Sequence, residues 1–517
     1  MTAALLDADT FWELVQQRAT LTPAAAALLD EHDARLTFAE LREAALRTAA
    51  GLQAAGVGPG SRVGWQLPTR ISTVLVMLAL ARLGAFQAPV LPMYREHELS
   101  TLVPAAGADL LLVPGTWRGT DYVAQAAPVL QLAGRAIRLL AVGPAGLDGD
   151  PAGLPPVAAD PAAPRWAFAT SGSTGVPRAA VHSDHSLLTA ARGFARNTGA
   201  GSRPGDVGCI AFPIGHVGGS QYLATALMTG TPTVLVEAFV PGQSLEVFRR
   251  HGVTVIGGST ALYQAVLGEQ RRAGAPVLPG LRLLTGGGAP LSAGLYRELR
   301  AELGVQVAHC YGMTEVPMVG VANPDDPDEL LATTDGRLIP GVQARVVGAD
   351  GTVLPAGEEG EMQLRGDAVT AGYTDPGQDA AAFTDDGWLR TGDLVRLAPT
   401  GHVSVTGRIK DVIIRKGETI SALEVEELLL DQPEVAEVAV VGLPDPERGE
   451  RVCAVVRPAD PAFPPRLADL TARLRAVGLM AQKLPEQLEL VDAMPLTGLG
   501  KIAKAELRAR FTEAVRS

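Results

Sequence analysis

The segment "AFATSGSTGVPRAAVHS", residues 167–183, gathers hydroxyls, glycines and a cation into one turn. Thr170, Ser171, Ser173 and Thr174 carry hydroxyls, Gly172 and Gly175 let backbone amides approach a ligand closely, and Arg178 adds positive charge. Exposed N–H groups, hydroxyls and a cation form the donor set that binds phosphate oxygens. A Walker loop is excluded, because no Gly-Lys-Ser/Thr follows at the required spacing. The apolar run before the turn and the periodic segment after it predict a strand, a loop and then a helix. A plain polar turn has the same composition, so the remaining chain must decide.

Four further motifs follow: "CYGMTE" at 310–315, "GWLRTGDL" at 387–394, "GRIKDVIIRKGE" at 407–418 and "PLTGLGKI" at 495–502. Residues 1–409 contain no lysine, and the lysines beyond them are Lys410, Lys416, Lys483, Lys501 and Lys504. Lys501, in a Gly-rich turn, therefore stands out. In this order and at these separations the five motifs resemble those of the adenylate-forming (AMP-binding) superfamily, acyl-CoA synthetase/ligase branch. The motifs run from residue 170 to 502, and the resemblance covers essentially the whole chain.

That resemblance implies two half-reactions. A carboxylic acid and ATP, with Mg²⁺, give an acyl-adenylate and pyrophosphate; CoA then displaces AMP. Both ATP and a carboxylate are anionic, so cations and positioning donors are needed where they meet. The resemblance places the 170–178 loop on the β/γ-phosphates, with Arg178 where lysine is common, a bulkier and planar replacement. Thr314 falls at the α-phosphate contact and Glu315 at the Mg²⁺ ligand. Asp393 and Arg408 fall at the ribose, and Gly288, Ala289, Pro290 and Tyr311 beside adenine. Lys501 falls where a lysine bridges the acyl carboxylate and α-phosphate. Lys410 falls at an interdomain hinge whose rotation would exchange Lys501 for Lys416 and Gly417, the latter lining the pantetheine tunnel.

His216 in "FPIGHVGG" resembles the position near the substrate carboxylate. The Asp-containing motif that holds an α-ammonium in amino-acid-activating domains is not evident there, which favours an acid without an α-amine. Candidate pocket walls are Gly218, Gly219, Tyr222, Ser259, Thr260, Gly287, Met313 and Met318; several are small and predict room for a ring or a chain. The thiol acceptor stays open between CoA and the phosphopantetheine of a carrier protein. A luciferase-like oxygenase, an enzyme keeping one half-reaction and a binding protein with a decayed site are the rival readings.

The elements that must position these residues follow from periodicity. Thr37 and Glu40 have capping-box spacing ahead of a helical run. Strand-like and helix-like segments then alternate through "RVGWQLP", 71–84, "FQAPVL", "DLLLVP", "RWAFAT", "TPTVLVE", "LRLLTGG" and "VQVAHC". Such alternation predicts parallel, helix-covered sheets. Short strands with turns from about 335 to 409 predict a β-rich subdomain. The expected organisation is a large α/β N-terminal domain at 1–409 and a small mobile α+β domain at 411–517.

At 517 residues, 47% of them apolar, the chain is long enough for several domains of about 150 residues each. A net charge of −12 argues against nucleic acid or a polybasic membrane surface. Cys209, Cys310 and Cys453 lie far apart without metal spacing, as in a reduced, cytoplasmic protein. The acidic start shows no signal peptide, and the longest apolar run, 74–81, is too short to span a bilayer. A monomer and a homodimer are both compatible with the sequence.

Overall fold

The capping box opens as its spacing predicts. Glu40 N–H donates to Thr37 Oγ1 at 3.3 Å, Thr37 N–H donates to the Glu40 carboxylate at 2.7 Å, and the helix Phe38–Ala54 begins there. Two amides that a helix start leaves without partners are thus satisfied. The helix Ile71–Leu83 is buried on nearly all sides, as an apolar run of this length requires, and stops at Gly84, whose φ is 67°. The computed structural model describes residues 6–132, 136–157, 160–170, 178–415, 418–445, 449–497 and 501–516.

The chain divides into two compact units. One holds residues 1–344, 364–389 and 400–402, and the other holds 345–363, 390–399 and 403–517. In the first, a six-stranded sheet runs in the order Arg178–Ser183, Pro164–Thr170, Phe86–Pro89, Arg62–Trp65, Leu110–Val113, Arg138–Ala141. A five-stranded sheet follows the order Val255–Gly257, Leu283–Gly287, Gln306–Met313, Val316–Val321, Arg337–Leu338, and a third, four-stranded sheet is built on Ala26–Asp30. Parallel pairing, which the alternation predicts, joins Arg62–Trp65 with Phe86–Pro89 and Leu283–Gly287 with Gln306–Met313. Trp12, Trp65, Trp166 and Phe168 anchor the main core.

One local expectation is corrected. Residues 178–183 form a strand antiparallel to Pro164–Thr170, with Arg178 opposite Thr170, and the helix begins only at Asp184. The backbone explains it. The 178–183 segment exchanges hydrogen bonds with 164–170 on one side and with 371–374 on the other, through Val181 N–H to Gly372 O and Thr374 N–H to Ala179 O. Buried amides must find partners, and a helix starting at Arg178 would leave both neighbours without theirs.

The second unit contains a five-stranded sheet in which Gly449–Pro458 pairs with Val435–Asp445, Val412–Arg415 and Gln487–Leu490. Its core is formed by Ile413, Ile420, Val425, Leu429, Val440 and Val456. Among the described residues no helix is long and apolar enough to cross a membrane.

Several glycines mark close approaches rather than open space. A Cβ at Gly257 would lie 1.8 Å from Tyr222 Cε1, and one at Gly219 would lie 2.3 Å from Ile214 O. Gly257→Ala should therefore expel the Tyr222 ring and its hydrogen bond to Thr285 O, destabilising the protein by about 1–3 kcal/mol in denaturant unfolding.

Candidate active site

The strand Gln306–Met313 ends in a turn at Thr314 and Glu315, and the chain returns along Val316–Val321. Gly312 permits the tight reversal, since a Cβ there would fall 2.3 Å from Pro317 O. The turn is tied to two distant segments. Thr370 N–H donates to Glu315 O at 2.8 Å, and His182 Nε2 lies 2.8 Å from Thr314 O. A carbonyl only accepts, so Nε2 carries the proton and Nδ1 accepts from Ser186 Oγ at 3.0 Å. His182 is fully buried, and burial holds its pKa down to about 4, against the opposing effect of the Thr314 bond. The imidazole is a neutral donor, not a cation, at ordinary pH.

The Glu315 side chain is 8% exposed. Tyr373 Oη donates to its Oε1 at 2.7 Å, and the Arg178 guanidinium sits 4.8 Å from the centre of the Tyr373 ring. Burial, then the Glu315 charge and hydrogen bond, push the Tyr373 phenol well above its usual range, so it stays a donor. Arg178, Thr314 and Glu315 are thus brought together in the first unit. Sequence reading missed His182 and Tyr373. His182 adjoins the phosphate-loop motif, but nothing in its spacing points toward residue 314. Ser171, Gly172, Ser173, Thr174 and Gly175 lie outside the described residues, as do Lys416 and Gly417.

Around the expected adenine surface, Gly288 has a φ of 90°, Ala289 is half-buried, Pro290 is exposed and Tyr311 is buried. Gly287 faces the neighbouring strand closely, since a Cβ would lie 1.9 Å from Cys310 O. On the expected acid side, His216 is the N-cap of the helix Val217–Thr229, its Nδ1 accepting from Gly218 N–H at 3.1 Å. Tyr222 packs edge-on to Phe212 at 5.5 Å and against Phe194 at 5.2 Å. Ser259 precedes the helix Thr260–Ala273, Met313 is half-buried and Met318 is buried. Of the expected walls, Gly219 and Gly287 face backbone closely, and the Tyr222 ring fills the space beside Gly257.

In the second unit, Asp393 and Arg408 face each other across antiparallel strands, with Arg408 Nε 2.9 Å from Asp393 Oδ1. Asp393 is 2% exposed and lies directly against that guanidinium. Lys410 lies in a 3-10 turn, Ile409–Asp411. Lys501 is exposed on a hairpin closed by Thr497 N–H to Lys501 O at 2.7 Å and Lys501 N–H to Thr497 Oγ1 at 3.2 Å. Three residues on, Lys504 pairs with the buried Glu426 at 2.7 Å, anchoring the foot of that hairpin.

Comparison with known proteins gives the family. Residues 15–374 match the model of the AMP-binding enzyme family, and residues 424–501 match the AMP-binding enzyme C-terminal domain. The chain belongs to the AMP-binding enzyme family. It is 35% identical over 497 residues to a salicylyl-CoA synthase / salicylate adenylyltransferase of a Streptomyces species, covering 92% of this chain and 89% of that protein. It is 36% identical to the salicyl-AMP ligase / salicyl-S-ArCP synthetase of Mycobacterium tuberculosis, over 91% of this chain and 84% of that one. The ATP-bound MatB structure from Rhodopseudomonas palustris superposes with a TM-score of 0.86 at 28% identity, covering 97% and 99% of the two chains. The activity class is that of an acid–thiol ligase working through an acyl-adenylate.

His182→Leu should leave the Thr314 carbonyl without its donor and cost about 1–3 kcal/mol of stability. The wild-type protein should also lose stability as pH falls from 6.5 toward about 4, where the unfolded chain binds a proton that the folded one excludes. That component of the pH dependence should vanish in the variant, as measured by denaturant unfolding across the range.

Proposed function

We propose that this protein activates an aromatic carboxylic acid lacking an α-amine and transfers it to CoA. Support for the acid class comes from the Phe212–Tyr222 ring pair, whose residues flank His216 along the chain, and from relatives that carry salicylate in their names. The observation that carries the reading is Glu315: a buried carboxylate, hydrogen-bonded by Tyr373, one residue after Thr314 on a pinned turn. A carboxylate so held is a hard oxygen donor of the kind Mg²⁺ prefers, and bound Mg²⁺ would supply charge neutralisation at the phosphates.

In the proposed chemistry the 171–177 segment and Arg178 hold the β/γ-phosphates, and Thr314 donates to the α-phosphate. Gly288, Ala289, Pro290 and Tyr311 flank adenine, and Asp393 with Arg408 hold the ribose. The acid's oxygen attacks the α-phosphorus; the bond to the bridging oxygen breaks and pyrophosphate leaves. Lys501 places its ammonium between the two anions as charge accumulates. A CoA thiolate then attacks the acyl carbon, and AMP departs with the bonding electrons. Rotation at Lys410 exchanges Lys501 for the segment of Lys416 and Gly417, so that one cleft serves both steps. A cytoplasmic location fits the three free, buried cysteines.

Acid-dependent pyrophosphate exchange tests the first step. Salicylate or benzoate should support exchange, whereas α-amino acids should not; silence across aryl and alkyl acids alike would overturn the enzymatic reading. Thioester formed on holo-carrier protein but never on CoA would replace CoA as the acceptor.

Two lesions test the alternation. Lys501→Ala should slow adenylation about 10²–10³-fold and spare thioester formation from supplied acyl-adenylate. Gly417→Trp should do the opposite. If both strike the same half-reaction, the exchange of segments is wrong.

A further inference from the structure

Arg178 stands where a lysine is common in this family, and the structure shows what the guanidinium does there. It does not project alone from its strand. It lies over the face of Tyr373 at 4.8 Å from the ring centre, while the hydroxyl of the same tyrosine donates to Glu315 Oε1 at 2.7 Å. One aromatic side chain therefore contacts both the cation at the exit of the 171–177 segment and the carboxylate read as the metal ligand. We infer that Tyr373 is a positioning residue for nucleotide and metal, seating Arg178 with its ring and orienting Glu315 with its hydroxyl.

Three observations support this beyond proximity. The tyrosine is itself rigidly placed: its N–H donates to Asp379 Oδ1 at 2.9 Å, and it bridges to Ala180, two residues from Arg178. Gly372 before it has a φ of 122° and lies so near Asp379 that a Cβ would meet Oδ2 at 2.8 Å. Second, Arg178 Nε is buried and has no hydrogen-bond partner among the described residues. An unpaired buried N–H beside a phosphate-type loop has donor capacity to offer a ligand. Third, the phenol has one proton to give and gives it to Oε1; Glu315 Oε2 accepts from no described residue. That division suits a carboxylate that binds a cation through a single oxygen, the other being held by the protein.

The choice of arginine then has a physical reason. A planar guanidinium stacks on an aromatic face and keeps its edge donors, whereas a compact, strongly hydrated ammonium gains less from the same face. Arg178 and Tyr373 form a matched pair, so Arg178→Lys is not conservative in this chain even though it restores the common residue.

The inference rests on the nucleotide reading above, and the test separates the two. ATP binding is measured by equilibrium titration at increasing Mg²⁺, and Mn²⁺ binding to the ATP complex by electron paramagnetic resonance. Tyr373→Phe keeps the ring and loses the hydroxyl. It should weaken Mn²⁺ binding and raise the Mg²⁺ requirement about tenfold, with metal-free ATP affinity within about twofold of wild type. Tyr373→Leu removes the seat as well and should weaken metal-free ATP binding about tenfold, as should Arg178→Lys. Unaltered metal dependence in a folded Tyr373→Phe protein would overturn the role assigned to the hydroxyl. Unaltered ATP affinity in both Tyr373→Leu and Arg178→Lys would overturn the role assigned to the ring. If Tyr373→Phe loses thermal stability together with all ATP binding, the tyrosine is structural and the inference fails. Wild-type protein that binds no ATP at any Mg²⁺ concentration would instead sink the nucleotide reading itself, and this assignment with it.

Discussion

The two-residue turn at Thr314 and Glu315 is held from three directions, by His182 on a strand some 130 positions earlier and by Thr370 and Tyr373 more than 50 positions later. A carboxylate in such a turn must be kept out of bulk water yet prevented from turning inward to any stray donor. The buried hydrogen bonds do both. In a low-dielectric setting each is strengthened, and each unpaired group would be costly, so the turn has few alternative arrangements. Burial keeps His182 neutral, which suits a residue whose work is to donate one proton to a carbonyl.

In the second unit the same logic is applied with charge. Asp393 is almost fully buried and lies against Arg408; Glu426 is buried and lies against Lys504. Burial raises the Glu426 pKa, and the Lys504 ammonium and the Val440 amide oppose that rise. Buried pairs of this kind contribute little net stability but leave an uncompensated charge if one member is lost, so they specify arrangement more than they add free energy. Here they set the register of Asp393 against Arg408 and the foot of the hairpin that carries Lys501. A chain that places every lysine after residue 409 has committed two of them, Lys483 and Lys504, to carboxylates of this unit.

The motifs were legible because they are local. Hydroxyls, glycines and acids at fixed spacing in "TSGSTGVPR", "CYGMTE" and "TGDL" can be read without knowing what they touch, and so can a capping box or an apolar helix. The strand at 178–183 was not legible, because six residues of mixed pattern become a strand only when neighbours on both sides offer amides and carbonyls. Nor was the packing around the candidate pocket glycines. A glycine in a sequence signals either a void or a close contact, and Gly219, Gly257 and Gly287 prove to be close contacts.

What the amino-acid sequence determined alone was the chemistry on offer: a run of hydroxyls and glycines, the acidic and hydroxyl residues of the turn, the late lysines and the alternating elements that frame them. Tertiary structure decided which of these groups act on one another. Tyr373 beneath Arg178, His182 beneath Thr314 and Tyr222 in the space beside Gly257 are meetings of residues far apart in the chain. Such meetings depend on how strands pair and how side chains fill the volume between them, and neither is encoded in the spacing of any single segment.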